Sequence, residues 1–516
     1  MLSRVLGLMR EQVMATFFGA GLAADAFNVA FRIPNLLRDL FAEGAMSSAF
    51  VPTFTEVRAT RGDAEAWNFG RQLMLVLGSV LAAVCVGGYV LAPWLLSVFA
   101  PGFASVPGKL DLTIMLTRVM LPFLPLVALA AVVMGMLNAR GQFAVPALAP
   151  AMFNLGMIAG GVGLIPVCEA YGQPPILAMA LGVLLGGAGQ LVFQLPAIHA
   201  HGFRFRLERP SLHPGVVRVG RLMGPATVGL AATQINLLVS TLIASLLEQG
   251  SVSWLMYAFR LMQLPIGVFG VALATVSLPA LSRAAVDRDL VSLKSTLSAT
   301  LRLVFLLTVP AAVWLAVMAR PVIALLYEHG RFGTLDTMQT ANALVMYCVG
   351  LPAFAAVAVM TRTFYALGDT GTPVRASFVA VAINLSLNLL FVGPLRSSGL
   401  GHLGLALATS VTSIVNLLQL GAYLRRSIGP LEGRRMLDAL GRIAIASGVA
   451  VLPGWIALRI LGDVWRGRWL TEMVVVLAGL LVALAAGYLA MRRMRVPELA
   501  TIESLVRSVL RRLVRR

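Results

Sequence analysis

Charge is scarce in this 516-residue chain. Asp, Glu, Lys and Arg make up 12% of it and hydrophobic residues 59%, where a soluble domain carries about 25% charge. Mean hydropathy is +0.86. So few polar side chains cannot cover a water-soluble protein of this length, which excludes a soluble enzyme and a disordered chain. Lysine is scarcer still: Lys109 and Lys294 are the two present, so 39 of the 41 basic residues are arginine. The three cysteines, Cys85, Cys168 and Cys348, each sit in an apolar run, which excludes a disulfide framework and a thiol metal site. The five histidines form no i,i+4 zinc pair. Gly108-Lys109 is followed by Leu110 and preceded at position 103 by Phe, so it is no phosphate loop. These absences imply no metal, no cofactor and no nucleotide hydrolysis. The net charge of +19 suits anionic membrane lipids rather than nucleic acid.

What the chain does have is long uncharged runs, such as Gln72 to Gly108, Leu222 to Leu247 and Met473 to Met491. A membrane helix needs about 20 mostly apolar residues. Cutting at Gly, Pro and charged turns predicts an all-α integral membrane protein of about fourteen helices, near 1–19, 24–56, 73–99, 112–138, 146–168, 175–198, 217–247, 251–283, 300–326, 338–367, 374–395, 402–424, 441–461 and 471–491. Arginine sets the orientation. Arg204, Arg206, Arg209, Arg218 and Arg221 follow the sixth span, and Arg425, Arg426, Arg434, Arg435 and Arg442 the twelfth, while alternate loops are poor in arginine. This places both termini in the cytoplasm. Met1 stands almost at the head of the first span with Arg4 and Arg10 inside it, which implies a true start upstream. Residues 497–516 read as a basic amphipathic tail lying on the anionic leaflet.

The sequence also repeats. Ala30-Phe31-Arg32 recurs as Ala258-Phe259-Arg260, Pro93 and Gly102 as Pro321 and Gly330, Leu121-Pro122 as Leu351-Pro352, and Pro146 as Pro373, at offsets of 227 to 230. That offset equals six spans. An even number returns the chain to the same side, so two parallel six-helix repeats are expected to form two lobes about a central cavity. The implied divisions are a lobe over 1–200, a cytoplasmic linker over 201–216, a second lobe over 217–427, and two further helices within 428–496.

Charge inside the apolar spans marks the candidate site. The first span carries Arg4, Arg10 and Glu11, the second Asp25, Arg32, Arg38, Asp39 and Glu43, and the eighth Arg260. A charge at the bilayer centre costs about 2.5–3.5 kcal/mol, so these residues are expected to face a wet cavity. Several arginines there suit an anionic ligand, above all a phosphate or diphosphate. Asp25 and Glu43 are the expected counter-charges that hold the arginines when the cavity is empty. Gln234, Asn236, Asn384, Asn388, Thr409 and Thr412 allow a cation site, though hydrogen bonds between helices are the commoner role.

Several motifs resemble the MurJ/MviN family: Ser3-Arg4-Val5-Leu6-Gly7, Phe18-Gly19-Ala20-Gly21, Asp25-Ala26-Phe27, Arg32-Ile33-Pro34-Asn35-Leu36-Leu37-Arg38, Phe41-Ala42-Glu43-Gly44-Ala45, Gly250-Ser251-Val252-Ser253-Trp254 and Gly330-Arg331-Phe332. The resemblance implies a bacterial lipid II flippase of the multidrug/oligosaccharidyl-lipid/polysaccharide exporter superfamily. It would sit in the cytoplasmic (inner) membrane and move undecaprenyl-diphosphate-linked disaccharide pentapeptide outward for cell-wall synthesis, with the cell-wall machinery as a further partner. The resemblance places the substrate cations on Arg4, Arg10, Arg32, Arg38 and Arg260, and a lipid-tail groove on the last two helices. This chain departs from the pattern at Phe259 and Gln263, where many members carry acids. Alternatives are another exporter of the superfamily, a drug or cation antiporter, or a membrane scaffold. The surplus of arginine over acid counts against the antiporter and the scaffold.

Overall fold

A backbone group in hydrocarbon has no water to bond, so apolar segments of this length fold as helices. The computed structural model describes residues 2–39, 45–206, 208–396, 398–461, 469–500 and 503–504. Among them there is no strand, and eleven helices are long and apolar enough to cross a membrane. The chain divides into two compact units.

The first unit comprises Met1–Ser253 together with His329–Phe332. Its helices are α1 (Leu2–Phe18), α2 (Leu22–Arg38), α3 (Ala45–Phe99), α4 (Lys109–Met120), α5 (Phe123–Ala139), α6 (Ala144–Gly163), α7 (Ile165–Ala170), α8 (Leu177–Val192), α9 (Leu195–Ala200) and α10 (Pro214–Ser245). The second predicted span, 24–56, differs from the structure: α2 ends at Arg38 and a new helix begins at Ala45. The 55-residue α3 runs through the charged stretch before Gln72, because charge bars a segment from hydrocarbon but not from a helix. It is broken once, at Gly62 (φ 84°, ψ 176°). Asp63 spans the break, accepting from Arg58 Nε at 2.8 Å and from Arg140 Nη2 at 3.2 Å.

Close helix contact in this unit rests on glycine. Gly156 and Gly160 of α6 meet Gly186 and Gly182 of α8, and a Cβ on Gly160 would stand 2.8 Å from the Gly182 nitrogen. Gly160→Ala is therefore expected to destabilise the protein by about 1–3 kcal/mol. Thermal unfolding in detergent checks this against Gly163→Ala, whose Cβ would meet nothing within 4 Å. Beside this seam Phe31, Phe123 and Phe153 pack with ring centres 5.2–6.2 Å apart. The repeat assigns α10 to the second half of the chain, yet it packs within the first unit against α3, where Arg218 pairs with Glu56 at 2.8 Å.

The second unit holds Trp254–Glu328 and Gly333–Arg516. It continues α11 (Ser251–Pro265) through a π turn at Ile266–Gly270 into α12 (Val271–Val286). Then come α13 (Leu290–Val317), α14 (Ala319–Tyr327), α15 (Thr334–Ala366), α16 (Gly371–Arg396), α17 (Gly401–Ile428), α18 (Gly433–Leu461) and α19 (Trp469–Arg493). Asp289 caps α13 by accepting from the Val291 and Ser292 amides at 3.1 and 3.0 Å. Its hydrogen bonds with Ser292, side chain first, hold its carboxyl below the ordinary range. Arg302 of α13 donates to Glu498 at 2.5 Å and to Glu432 at 3.4 Å, fastening the segment that follows α19 and the one that leads into α18.

Candidate substrate-binding site

Two of the arginines singled out by the sequence are paired with the acid next to them in the chain. On α1, Arg10 Nη2 donates to Glu11 Oε1, and its Nη1 donates to Asn154 Oδ1 of α6 at 3.2 Å. Asn154 donates in turn to the Ser3 carbonyl at 3.0 Å, so α6 grips α1 at two levels. On α2, Arg38 donates through Nε and Nη2 to Asp39 Oδ1 at 3.3 and 2.9 Å. Asp39 Oδ2 accepts from Gln234 Nε2 of α10 at 3.3 Å. Arg32 Nη2 donates to Thr241 Oγ1, also on α10, at 3.4 Å.

These pairs lie between core and surface. Side-chain exposure is 12% and 14% for Arg10 and Glu11, and 20% and 29% for Arg38 and Asp39. A guanidinium has five N–H donors, more than one carboxylate takes up, so such a pair can share its cation with a phosphate oxygen. Arg4 on α1 is exposed, and so is Arg260 on α11 in the second unit. Phe259, beside Arg260, packs edge-on to Tyr347 with ring centres 5.4 Å apart, so core packing occupies a position where the resemblance expects an acid. Glu43 lies outside the described residues.

Asp25 is placed among partners that the sequence did not suggest. It is 1% exposed and accepts from Lys109 Nζ at 2.9 Å, from the Gly250 amide at 2.8 Å, and from Ser253 N and Oγ at 3.0 and 2.7 Å. Lys109, 3% exposed, also lies 4.1 Å from the centre of the Phe103 ring. A carboxylate and an ammonium this far from water are tolerable because each is paired and hydrogen-bonded. Asp25 thus fastens α2 to α4 and to the head of α11.

Glu11 and Asp39 are the site residues that sequence reasoning passed over as partners. Helical periodicity looks three and four residues away, whereas a long arginine side chain can curl back to its immediate neighbour. The dipeptides Arg10-Glu11 and Arg38-Asp39 were the available signal. In the second unit Asn384 Nδ2 donates to Thr412 Oγ1 at 3.2 Å and Asn388 Nδ2 to Asn384 Oδ1 at 2.9 Å, joining α16 to α17. Among the described residues no group of three or more His, Cys, Asp or Glu side chains could hold a metal ion.

Residues 14–479 match the family model described as lipid II flippase MurJ. The chain belongs to the MurJ family. A Vibrio cholerae protein named probable lipid II flippase MurJ is 36% identical over 507 residues, covering 95% of this chain and 93% of its own. The Burkholderia cenocepacia lipid II flippase MurJ is 36% identical over 499 residues, covering 95% and 94%. Among solved structures, a MurJ in an inward closed conformation matches with a TM-score of 0.75 at 27% identity, over 95% of this chain and 97% of that one. The fold reaches beyond MurJ: an inward-facing MATE transporter of the MOP superfamily has a TM-score of 0.68 at 15% identity, over 83% and 94%.

Proposed function

We propose that this chain is a lipid II flippase, carrying an undecaprenyl-diphosphate-linked disaccharide pentapeptide from the cytoplasmic to the periplasmic leaflet of the bacterial inner membrane. It is a transporter and not an enzyme. The observation that carries this reading, beside membership of the family, is the set of half-buried arginine–carboxylate pairs on α1 and α2. A diphosphate cannot enter hydrocarbon without a substitute for its hydration, and planar guanidinium forks supply one while leaving the ligand free to depart. Placed in a cell depleted of its own lipid II flippase, the gene is expected to restore growth and periplasmic lipid II. Lysis with normal protein levels and lipid II confined to the inner leaflet would refute it.

In this reading the chain crosses the membrane fourteen times with both ends cytoplasmic, as the alternation of arginine-rich and arginine-poor loops supports. Cysteines placed near Arg206 and Arg434 are expected to resist a membrane-impermeant thiol reagent, and one near Gly172 to react. Equal labelling of all three overturns the topology. The polyprenyl tail is assigned to the last two helices. Support comes from an apolar cavity of about 580 Å³ in the second unit, lined by Leu264, Val268, Phe269, Leu480, Ala483 and Leu484 among others. Anionic lipids at the arginine-rich surface and the cell-wall synthesis machinery complete its partners.

A further inference from the structure

We propose that Gly102 and Gly330 form two reciprocal clasps that fix the ends of α1 and α10, and that both let go when the arginine-poor side opens. The release half rests on the transport reading above.

Gly102 stands in the 3-10 turn Pro101–Ser105. Its backbone is not left-handed, so conformation alone would admit any residue. Space would not: a Cβ would overlap the Ser245 carbonyl oxygen and lie 2.6 Å from Ser245 C and 2.8 Å from Leu246 Cα. Those are backbone atoms at the end of α10 and cannot swing aside. Gly330 makes the matching approach to α1. Its Cβ would overlap the Thr16 carbonyl oxygen and lie 3.0 Å from Thr16 C, and its φ is +60°. The next amide, Arg331, donates to the Thr16 carbonyl at 2.9 Å, and a Cβ on Gly19 (φ +63°) would come within 2.6 Å of the Arg331 carbonyl oxygen.

The two clasps are related by the internal repeat. Gly102 and Gly330 are 228 residues apart, and Thr16 and Ser245 are 229 apart. Each half of the sequence therefore closes a turn over the end of the other half's first helix, and all four sites lie in the first compact unit. What the clasped helices carry gives the arrangement its meaning. Thr16 follows Arg10 and Glu11 by less than two turns of α1. Ser245 follows Thr241, which receives Arg32, by about one turn of α10. Gln234, which holds Asp39, is on the same helix. The clasps thus act as positioning contacts for the arginines. Because backbone meets backbone with no flexible side chain between, a clasp is either seated or parted, the kind of two-state contact that amplifies a small shift.

The test uses the full-length protein in nanodiscs without substrate. Gly102→Ala is expected to speed hydrogen exchange at the end of α10 at least about tenfold, and Gly330→Ala to do so at the end of α1 and at the Arg331 amide. Gly333→Ala, in the same loop but with nothing within 4 Å of its Cβ, should exchange like the parent. If the two variants also exchange like the parent, the clasps fix nothing and the proposal fails. A second arm keeps both glycines. Thr16→Cys with Arg331→Cys, at backbones already hydrogen-bonded, is oxidised and reconstituted in vesicles with a fluorescent polyprenyl-diphosphate disaccharide, beside oxidised parent protein. The cross-linked form is expected to bind this lipid but to move it at least about tenfold more slowly, with full recovery on reduction. Full-rate movement while cross-linked overturns the release step, even if the alanine variants never accumulate. If the parent itself moves no lipid, the flippase reading fails instead, and the exchange data still decide whether the clasps exist.

Discussion

Alanine at Arg10, Arg38 or Arg260 is expected to abolish or severely reduce rescue of a flippase-depleted cell while leaving membrane insertion intact. A charge-assisted contact to a phosphate contributes about 1.5–3 kcal/mol, or about ten- to 150-fold in affinity. The loss should exceed that of one contact for Arg10 and Arg38, since Glu11 and Asp39 would keep their charge without its partner. Arg38→Lys should rescue in part, because a point charge replaces a two-pronged fork. Glu11→Gln and Asp39→Asn should weaken transport less than the arginine changes, since they leave the cation in place. Growth and lipid II export in all three alanine variants, each at normal abundance, would show that these arginines are structural.

Lys109→Met should cause the largest loss of stability of any single change considered. It strands the Asp25 carboxylate, 1% exposed, with hydrogen bonds but no cation. Removing one member of a buried ion pair costs about 3–5 kcal/mol. Asp25→Asn strands the ammonium instead and should cost a comparable amount. The double variant should be more stable than the sum of the two losses allows, because it leaves no unpaired charge. Thermal unfolding of the three purified proteins in detergent reads this directly. A Lys109→Met protein that melts with the parent would mean the pair contributes nothing to the fold.

The membrane class and most helices were legible because hydropathy and arginine placement act over whole segments. Gly156-x-x-x-Gly160 and Gly182-x-x-x-Gly186 mark two close-packing faces in the sequence, but the spacing does not say that each packs on the other, as α6 does on α8 in the structure. The charged half of α3 was lost, because a reading tuned to hydrocarbon does not recognise a helix that lives in water. At the site, the arginines announced themselves by being costly where they stand. Their partners did not. Asp25 reads as an intramembrane acid awaiting an arginine, and only the chain's path brings Lys109 to it, 84 residues on. Gly102 and Gly330 showed as a repeat in the sequence, but a repeat does not say which backbone each glycine lies against.

The Asp25 cluster also has a history during synthesis. Its members leave the ribosome far apart: Lys109 follows Asp25 by 84 residues and Ser253 by 228. At about 5–20 residues per second, roughly ten to forty-five seconds separate Asp25 from Ser253. Throughout that interval α2 must be held with a carboxylate whose donors at Gly250 and Ser253 do not yet exist. Lys109 arrives in less than half the time and can neutralise the charge before α11 is made. The insertion machinery thus receives the first half of this chain with its charge balanced but the bonds from Gly250 and Ser253 unmade, and α2 can reach its final setting only after the first residues of α11 have emerged.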